Sequence, residues 1–339
     1  MSGPLIRKPG LWTLLAVLLP LLILVLSLAI GSYPIAPKDL VHTVAGLISP
    51  SSHPDLPPAY KDILLHIRLP RLVLALLIGA SLSMAGASLQ ALFKNPLVNE
   101  YILGLSSGAG FGAALSLVVL GRGFPPQVAA FAFALLAVAA VLAIAGRSES
   151  SVVPLLLTGV VVSAFFQALL SLGVYFASPY ALQTLFFWLM GNLALATWRD
   201  VLLAAPVMLI ASTALVLLRW RLNVLSLSEV EARSLGVRVR REKILVILAA
   251  TLATAAATSV AGIIGWVGLI GPHLVRMAVG PENRKVIPLA AAGGACFLLL
   301  ADDAARMAVS FEIPVGIFTS LLGIPVFLYL LAKAKKVWL

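Results

Sequence analysis

The sequence predicts an all-α integral membrane protein of about ten transmembrane helices, folded as a single domain over residues 1–339. Three observations predict it. The chain is 61% hydrophobic and only 11% charged, where a soluble domain of this size needs a far more polar surface. Its apolar residues gather into runs of about 20 residues, the length that crosses a bilayer as a helix. Its basic residues are distributed unevenly between those runs, as the positive-inside rule requires. Mean hydropathy is +1.07. The net charge of +11 is therefore a membrane signature and not a nucleic-acid one, because the basic residues sit in short segments between apolar runs. The single cysteine, Cys296, lies inside an apolar run, which excludes an internal disulfide.

The first run, Leu11–Ile30, is too long for a signal-peptide core and is followed by no clear small-residue cleavage site, so it reads as a retained first helix. The next candidates are Leu72–Leu92, Ile102–Leu120, Gln127–Ala145, Pro154–Phe176 and Val201–Leu218. Ile244–Gly262, Ile264–Val279, Ile287–Met307 and Pro314–Ala332 complete the set. The stretch from Ile244 to Val279 is two spans or one span plus a re-entrant segment, since Gly262, Gly265, Gly268, Gly271 and Pro272 interrupt it. Two connections are long. Residues 31–67 are proline-rich and read as an irregular outer loop with a short helix, and residues 219–243 form the most charged stretch. Of the 24 basic residues, only Lys38, Lys61, Arg68, Arg71, Arg122, Arg199 and Arg306 fall on outer segments. That bias puts both termini and the 219–243 loop in the cytoplasm of a multi-pass protein of the cytoplasmic (inner) membrane.

Within the cytoplasmic loop, residues 226–236 place a serine before a helical pattern, acids near its start and Gly236 at its end, which is a capped short helix. Leu227, Val230 and Leu235 are apolar in an aqueous loop, so the helix is either a solvated surface helix or one gripped by a cytoplasmic partner. Arg68 and Arg71 at the start of one span and Arg306 at the end of another run against the charge bias. They anchor at headgroups or receive an acidic protein from outside. Gly104-Leu-Ser-Ser-Gly108 matches a nucleophile-elbow pattern, but Gly104, Gly108 and Gly112 also repeat every four residues, the spacing that lets helices approach closely. On the fifth span Gly159, Ser163, Gln167 and Ser171 recur every four residues on one face, which either packs against a neighbour or lines a water-filled path. The chain has no P-loop sequence, no H-E-x-x-H and no paired-cysteine metal site, so metal ligands are not expected. Few ionisable residues lie in the spans. Asp302 and Asp303 are the main exception and stand four and three residues before Arg306, spacings suited to an ion pair on one helix face. An ion-coupled carrier usually places titratable groups mid-membrane, so the energy source is expected outside this chain.

These residues resemble the membrane permeases of ATP-binding-cassette importers for iron–siderophore chelates, haem and cobalamin. The matching stretches are Arg68-Leu-Pro-Arg71, Gly79-Ala80, Gly86, Gln90–Leu97, Leu103-Gly104, Ser107–Ala109, Glu231–Gly236 and Gly268–Arg276. Ala301-Asp302, Ala305-Arg306, Glu312–Gly316 and Gly323–Pro325 follow in order, so the match covers nearly the whole chain from Ile67 to Lys333. The resemblance implies a vitamin B12 importer-like permease fold, a homodimer around one central path, and no catalysis by this chain. It implies two cytoplasmic ATPase subunits that bind ATP and magnesium, docked on Glu229, Glu231, Ala232, Arg233, Leu235 and Gly236. It implies an extracytoplasmic substrate-binding protein whose acids meet Arg68, Arg71 and, as a weaker match, Arg306. It favours the path reading of Gly159, Ser163, Gln167 and Ser171, and it places a cytoplasmic gate at Ser150, Ser151, Val152 and Val153. The chain departs from the family pattern at Glu100, where a proline is usual, and at Val152 and Val153, where the cobalamin member is hydroxyl-rich. Ferric siderophore or haem is the expected cargo, with cobalamin next and an oxyanion such as molybdate still open. The alternative is a secondary transporter or channel that works alone.

Overall fold

Inside a bilayer no water is available to satisfy backbone N–H and C=O groups, so the chain satisfies them within helices. The computed structural model describes residues 9–31, 33, 35–48, 57–145, 153–308 and 313–334, and in these no strand occurs. The elements are α1 (Pro9–Ser27), α2 (Pro37–Ile48), α3 (Pro58–Asp62), a π-helical turn (Ile63–Arg68) and α4 (Leu69–Phe93). Next come α5 (Leu105–Ala114) with a second π-helical turn (Leu115–Leu120), α6 (Pro126–Ala145), α7 (Val153–Phe176), α8 (Pro179–Leu189) and α9 (Trp198–Leu225). The chain continues through α10 (Glu229–Ser234), α11 (Val239–Ala261), α12 (Val267–Val279), α13 (Asn283–Met307) and α14 (Val315–Ala334). Among the described residues six helices are long and apolar enough to cross a membrane, and four shorter apolar helices bring the set to the segments expected from sequence.

Two expected boundaries are corrected. The loop at 219–243 is mostly helix: α9 runs on to Leu225 and α11 begins at Val239, so Arg219 and Arg221 ride on one and Arg240, Arg241 and Lys243 on the other. In the outer loop, α2 is the short helix, and residues from Ala59 onward already belong to the helix that continues through Phe93. The stretch from Ile244 to Val279 resolves into one full helix and the 13-residue α12, about 20 Å long and too short to cross a hydrocarbon core of about 30 Å.

The α4 span is 78% buried and the α7 span 22%, which makes α4 the axis of the bundle and α7 part of its outer wall. One apolar core runs along the second half of α4 against α5, α6, α7 and α11, and another along its first half against α9, α13 and the end of α11. Small residues let these helices approach closely. A Cβ at Gly79 of α4 would fall 2.4 Å from the Gly294 carbonyl oxygen of α13, and one at Gly294 would fall 2.1 Å from that of Gly79.

Candidate functional site

One end of the bundle carries α10. Ser228 begins it with a reciprocal cap: its hydroxyl accepts from the Glu231 N–H at 3.3 Å, and its own N–H donates to Glu231 Oε2 at 2.9 Å. The Ser228 hydroxyl also donates to Glu231 Oε2 at 2.7 Å, and this bond, with that from the Ser228 N–H, holds the Glu231 carboxyl below the usual carboxylate range. Leu235 follows the last turn, and Gly236, at φ +77°, reverses the chain in a conformation that suits glycine. Ala232 is buried against the core, and Glu229 pairs with Lys243 at 2.5 Å. Of the coupling residues expected from sequence, then, Ala232, Glu229 and Glu231 fix the helix in place. Val230 (79% exposed) and Leu235 (58% exposed) are left facing out with Arg233. Beside them lies a groove of about 730 Å³ lined by Arg233, Arg238, Arg240 and Arg241 together with Val237 and Leu245. Replacing Ser228 with alanine removes the cap and is expected to cost about 1 kcal/mol locally. Amide hydrogen exchange over 229–234 should then speed up about fivefold; unchanged exchange would show that packing of Ala232 alone holds the helix.

The opposite end gathers the three expected docking arginines. Arg68, Arg71 and Arg306 are 4%, 3% and 6% exposed, so none presents an open guanidinium. Arg71 Nε donates to both oxygens of Asp302 at 2.9 and 3.2 Å, and Arg306 Nε lies 3.1 Å from Asp302 Oδ2. Arg306 also pairs with Asp303, which accepts from the Ser27 hydroxyl at 2.6 Å. The ion pairing expected from the four- and three-residue spacings is thus present, and it extends to Arg71 on α4. Two of the guanidiniums also donate to carbonyls at and past the end of α1: Arg306 to Ser27 and Ile30, Arg68 to Leu28 and Tyr33. Those carbonyls have no partner within the helix, so cations are well placed there. Burial forces this arrangement, because an unpaired guanidinium out of water is expensive.

The stripe on α7 divides. Gly159 is buried, and a Cβ there would meet the Ile102 carbonyl at 2.6 Å; Ser163 is half-buried opposite Gly104. These two pack against the entry to α5. Gln167 and Ser171 are exposed on the outer wall of the single chain. The Gly104–Gly112 repeat packs too: Cβ atoms at Gly108 and Gly112 would fall 2.5 and 2.4 Å from carbonyls of α6. Of the expected gate, Ser150, Ser151 and Val152 lie outside the described residues, and Val153 opens α7 with its side chain exposed.

Sequence reasoning missed α8. Its signal was Ser178-Pro179, an N-cap followed by proline in the first turn, and the Ser178 hydroxyl does accept from the Ala181 N–H. It also missed a polar group near the start of α12. Gln90 donates to the Gly268 carbonyl at 3.0 Å and accepts from Arg276. The Glu100 carboxylate, 3% exposed, occupies the space of a Cβ at Gly268.

Comparison with known proteins agrees with this architecture. A probable iron chelatin transport system permease protein of Helicobacter pylori is 42% identical over 275 residues, covering 81% of this chain and 84% of the relative. A hemin transport system permease protein of Yersinia pestis is 36% identical over 324 residues, covering 93% and 95%. A solved structure described as an inward-facing conformation of a metal-chelate type ABC transporter superposes with a TM-score of 0.86 at 35% identity, covering 96% of this chain and all of that one. The model of the FecCD transport family matches residues 18–333. With a bundle of this architecture and relatives of this kind, the chain belongs to the FecCD transport family, as a membrane permease of the ATP-binding-cassette type.

Proposed function

We propose that two copies of this chain form the pore of an ATP-driven importer that carries a metal chelate inward, ferric siderophore or haem first and cobalamin next. A substrate-binding protein delivers the chelate to the end where α1 finishes. Two cytoplasmic ATPase subunits, each holding ATP and magnesium, grip the end that carries α10. Both termini then lie in the cytoplasm. Rigid-body movement of the helices opens the central path to one side and then to the other. The observation that carries this reading is α10, a helix capped at both ends that keeps Val230 and Leu235 in water. Exposed apolar side chains on a rigid helix fit a groove on a partner.

The arginine cluster supports delivery through charge and not through open side chains. Three guanidiniums against two carboxylates leave one positive charge in excess, which attracts an acidic lobe, and Arg68 is the one that the aspartates do not pair. Gln167 and Ser171 are the path residues that the fold leaves uncovered, and the segment 150–153 is the proposed cytoplasmic gate.

The test is uptake into proteoliposomes that hold the chain with its partner ATPase, with the binding protein added. Haem, a ferric siderophore and cobalamin are each supplied with and without ATP. ATP-dependent accumulation of one cargo is expected. If no ATPase associates, or if uptake proceeds without ATP, the chain works alone as a secondary transporter or channel.

A further inference from the structure

The turn between α11 and α12 is strained and gripped from several sides. Gly262 (φ +72°) and Trp266 (φ +71°) both have positive φ; Trp266 adopts the left-handed conformation, which a tryptophan rarely does. On one side stands the connection 94–104. The Tyr101 hydroxyl donates to the Ile264 carbonyl at 3.1 Å and accepts from the Ile264 N–H at 3.3 Å, and the Glu100 carboxylate sits against Gly268. On another side the Asn192 N–H donates to the Ala261 carbonyl at 2.8 Å, and the Gly316 N–H donates to Gly191 at 3.2 Å. Residues just past α8 and the first turn of α14 are thereby tied to the same break.

The connection 94–104 also reaches the other machinery. Lys94 Nζ donates to the Leu227 carbonyl, one residue before the cap of α10. Ile102 and Gly104 pack on Gly159 and Ser163 of α7. The segment itself is stiff, since Asn95 and Asn99 each accept from a backbone N–H two residues on. We propose that 94–104 is the relay that carries movement of α10 to a hinge at 262–266 and to α7, with Tyr101 as the positioning residue that holds the hinge. This rests on the reading that an ATPase grips α10. Coupling between distant sites needs an element with two arrangements that both sites bias, and the strained turn supplies one.

The experiment uses the whole complex in proteoliposomes with binding protein, ATPase and the cargo that wild type accumulates. Tyr101→Phe removes only the hydroxyl. The ATPase should stay bound and basal hydrolysis should be unchanged, while stimulation by the binding protein is lost and cargo moved per ATP falls about tenfold. Lys94→Asn cuts the other end of the relay without straining its left-handed backbone, and the same signature is expected. If the two act in series, the double variant is no worse than the worse single variant. Wild-type cargo per ATP in Tyr101→Phe overturns the proposal, as do losses that multiply in the double variant. Should Tyr101→Phe fail to assemble, Lys94→Asn decides alone, and a wild-type ratio there sinks the relay. Failure of the underlying reading looks different: the wild-type chain itself retains no ATPase.

Discussion

Replacing Asp302 with alanine is expected to destabilise the folded chain by about 3–5 kcal/mol, the range for breaking a buried ion pair from one side. Asp302 is fully buried and, among the described residues, is shared by Arg71 and Arg306. Its loss takes a shared carboxylate from two buried guanidiniums. Denaturant unfolding in mixed micelles measures the cost. The paired substitution Arg71→Met with Asp302→Leu should recover most of it, because Arg306 keeps Asp303 and one charge of each sign is removed, which leaves the net charge of the cluster unchanged. A loss under about 1 kcal/mol in Asp302→Ala would mean that water reaches the cluster and that the arginines are open to a docking partner after all.

Gly294→Val is expected to do comparable damage through packing. A Cβ at Gly294 meets the Gly79 carbonyl at 2.1 Å, and behind that oxygen is the backbone of the most buried helix, which has nowhere to move. Overpacking a core usually costs about 1–3 kcal/mol, and contact with backbone puts this case at about 3 kcal/mol or beyond. Gly79→Ala strikes the same seam, since its Cβ would fall 2.4 Å from the Gly294 carbonyl oxygen. Once the first substitution has parted the helices, the second methyl finds room, so the double variant should lose less than the sum of the singles. Strict additivity would show that α4 and α13 do not share this contact.

Much of the molecule was legible because a bilayer demands long apolar runs, and such runs are conspicuous. All ten runs correspond to apolar helices, and the α10 cap was visible as a serine, early acids and a closing glycine. The loop boundaries were less legible, since charge at the ends of α9 and α11 is compatible with helix once the chain leaves the membrane. The arginine cluster was half legible. Spacing along α13 gives the Asp302–Arg306 pair, but that Arg71 shares Asp302, and that Arg68 and Arg306 turn to the carbonyls of α1, follows only from three-dimensional proximity. The α7 stripe was ambiguous for a physical reason: small polar residues serve both close packing and a wet path, and in the single chain Gly159 and Ser163 meet Ile102 and Gly104 while Gln167 and Ser171 stay exposed. Tyr101 carried no local signal at all, because its partner lies 163 residues away.

The clasp on α1 also sets an order of synthesis. Ser27 is made well before its partner Asp303, which follows 276 residues later. At about 5–20 residues per second, α1 waits roughly 15–55 s in the membrane before α13 can close on it. In that interval Arg68, only 40 residues downstream of Leu28, can hold its end. The bundle is therefore sealed when α13 meets α1, so a ribosome that stalls before residue 302 leaves a nascent chain whose α1 is inserted but not yet locked to α13.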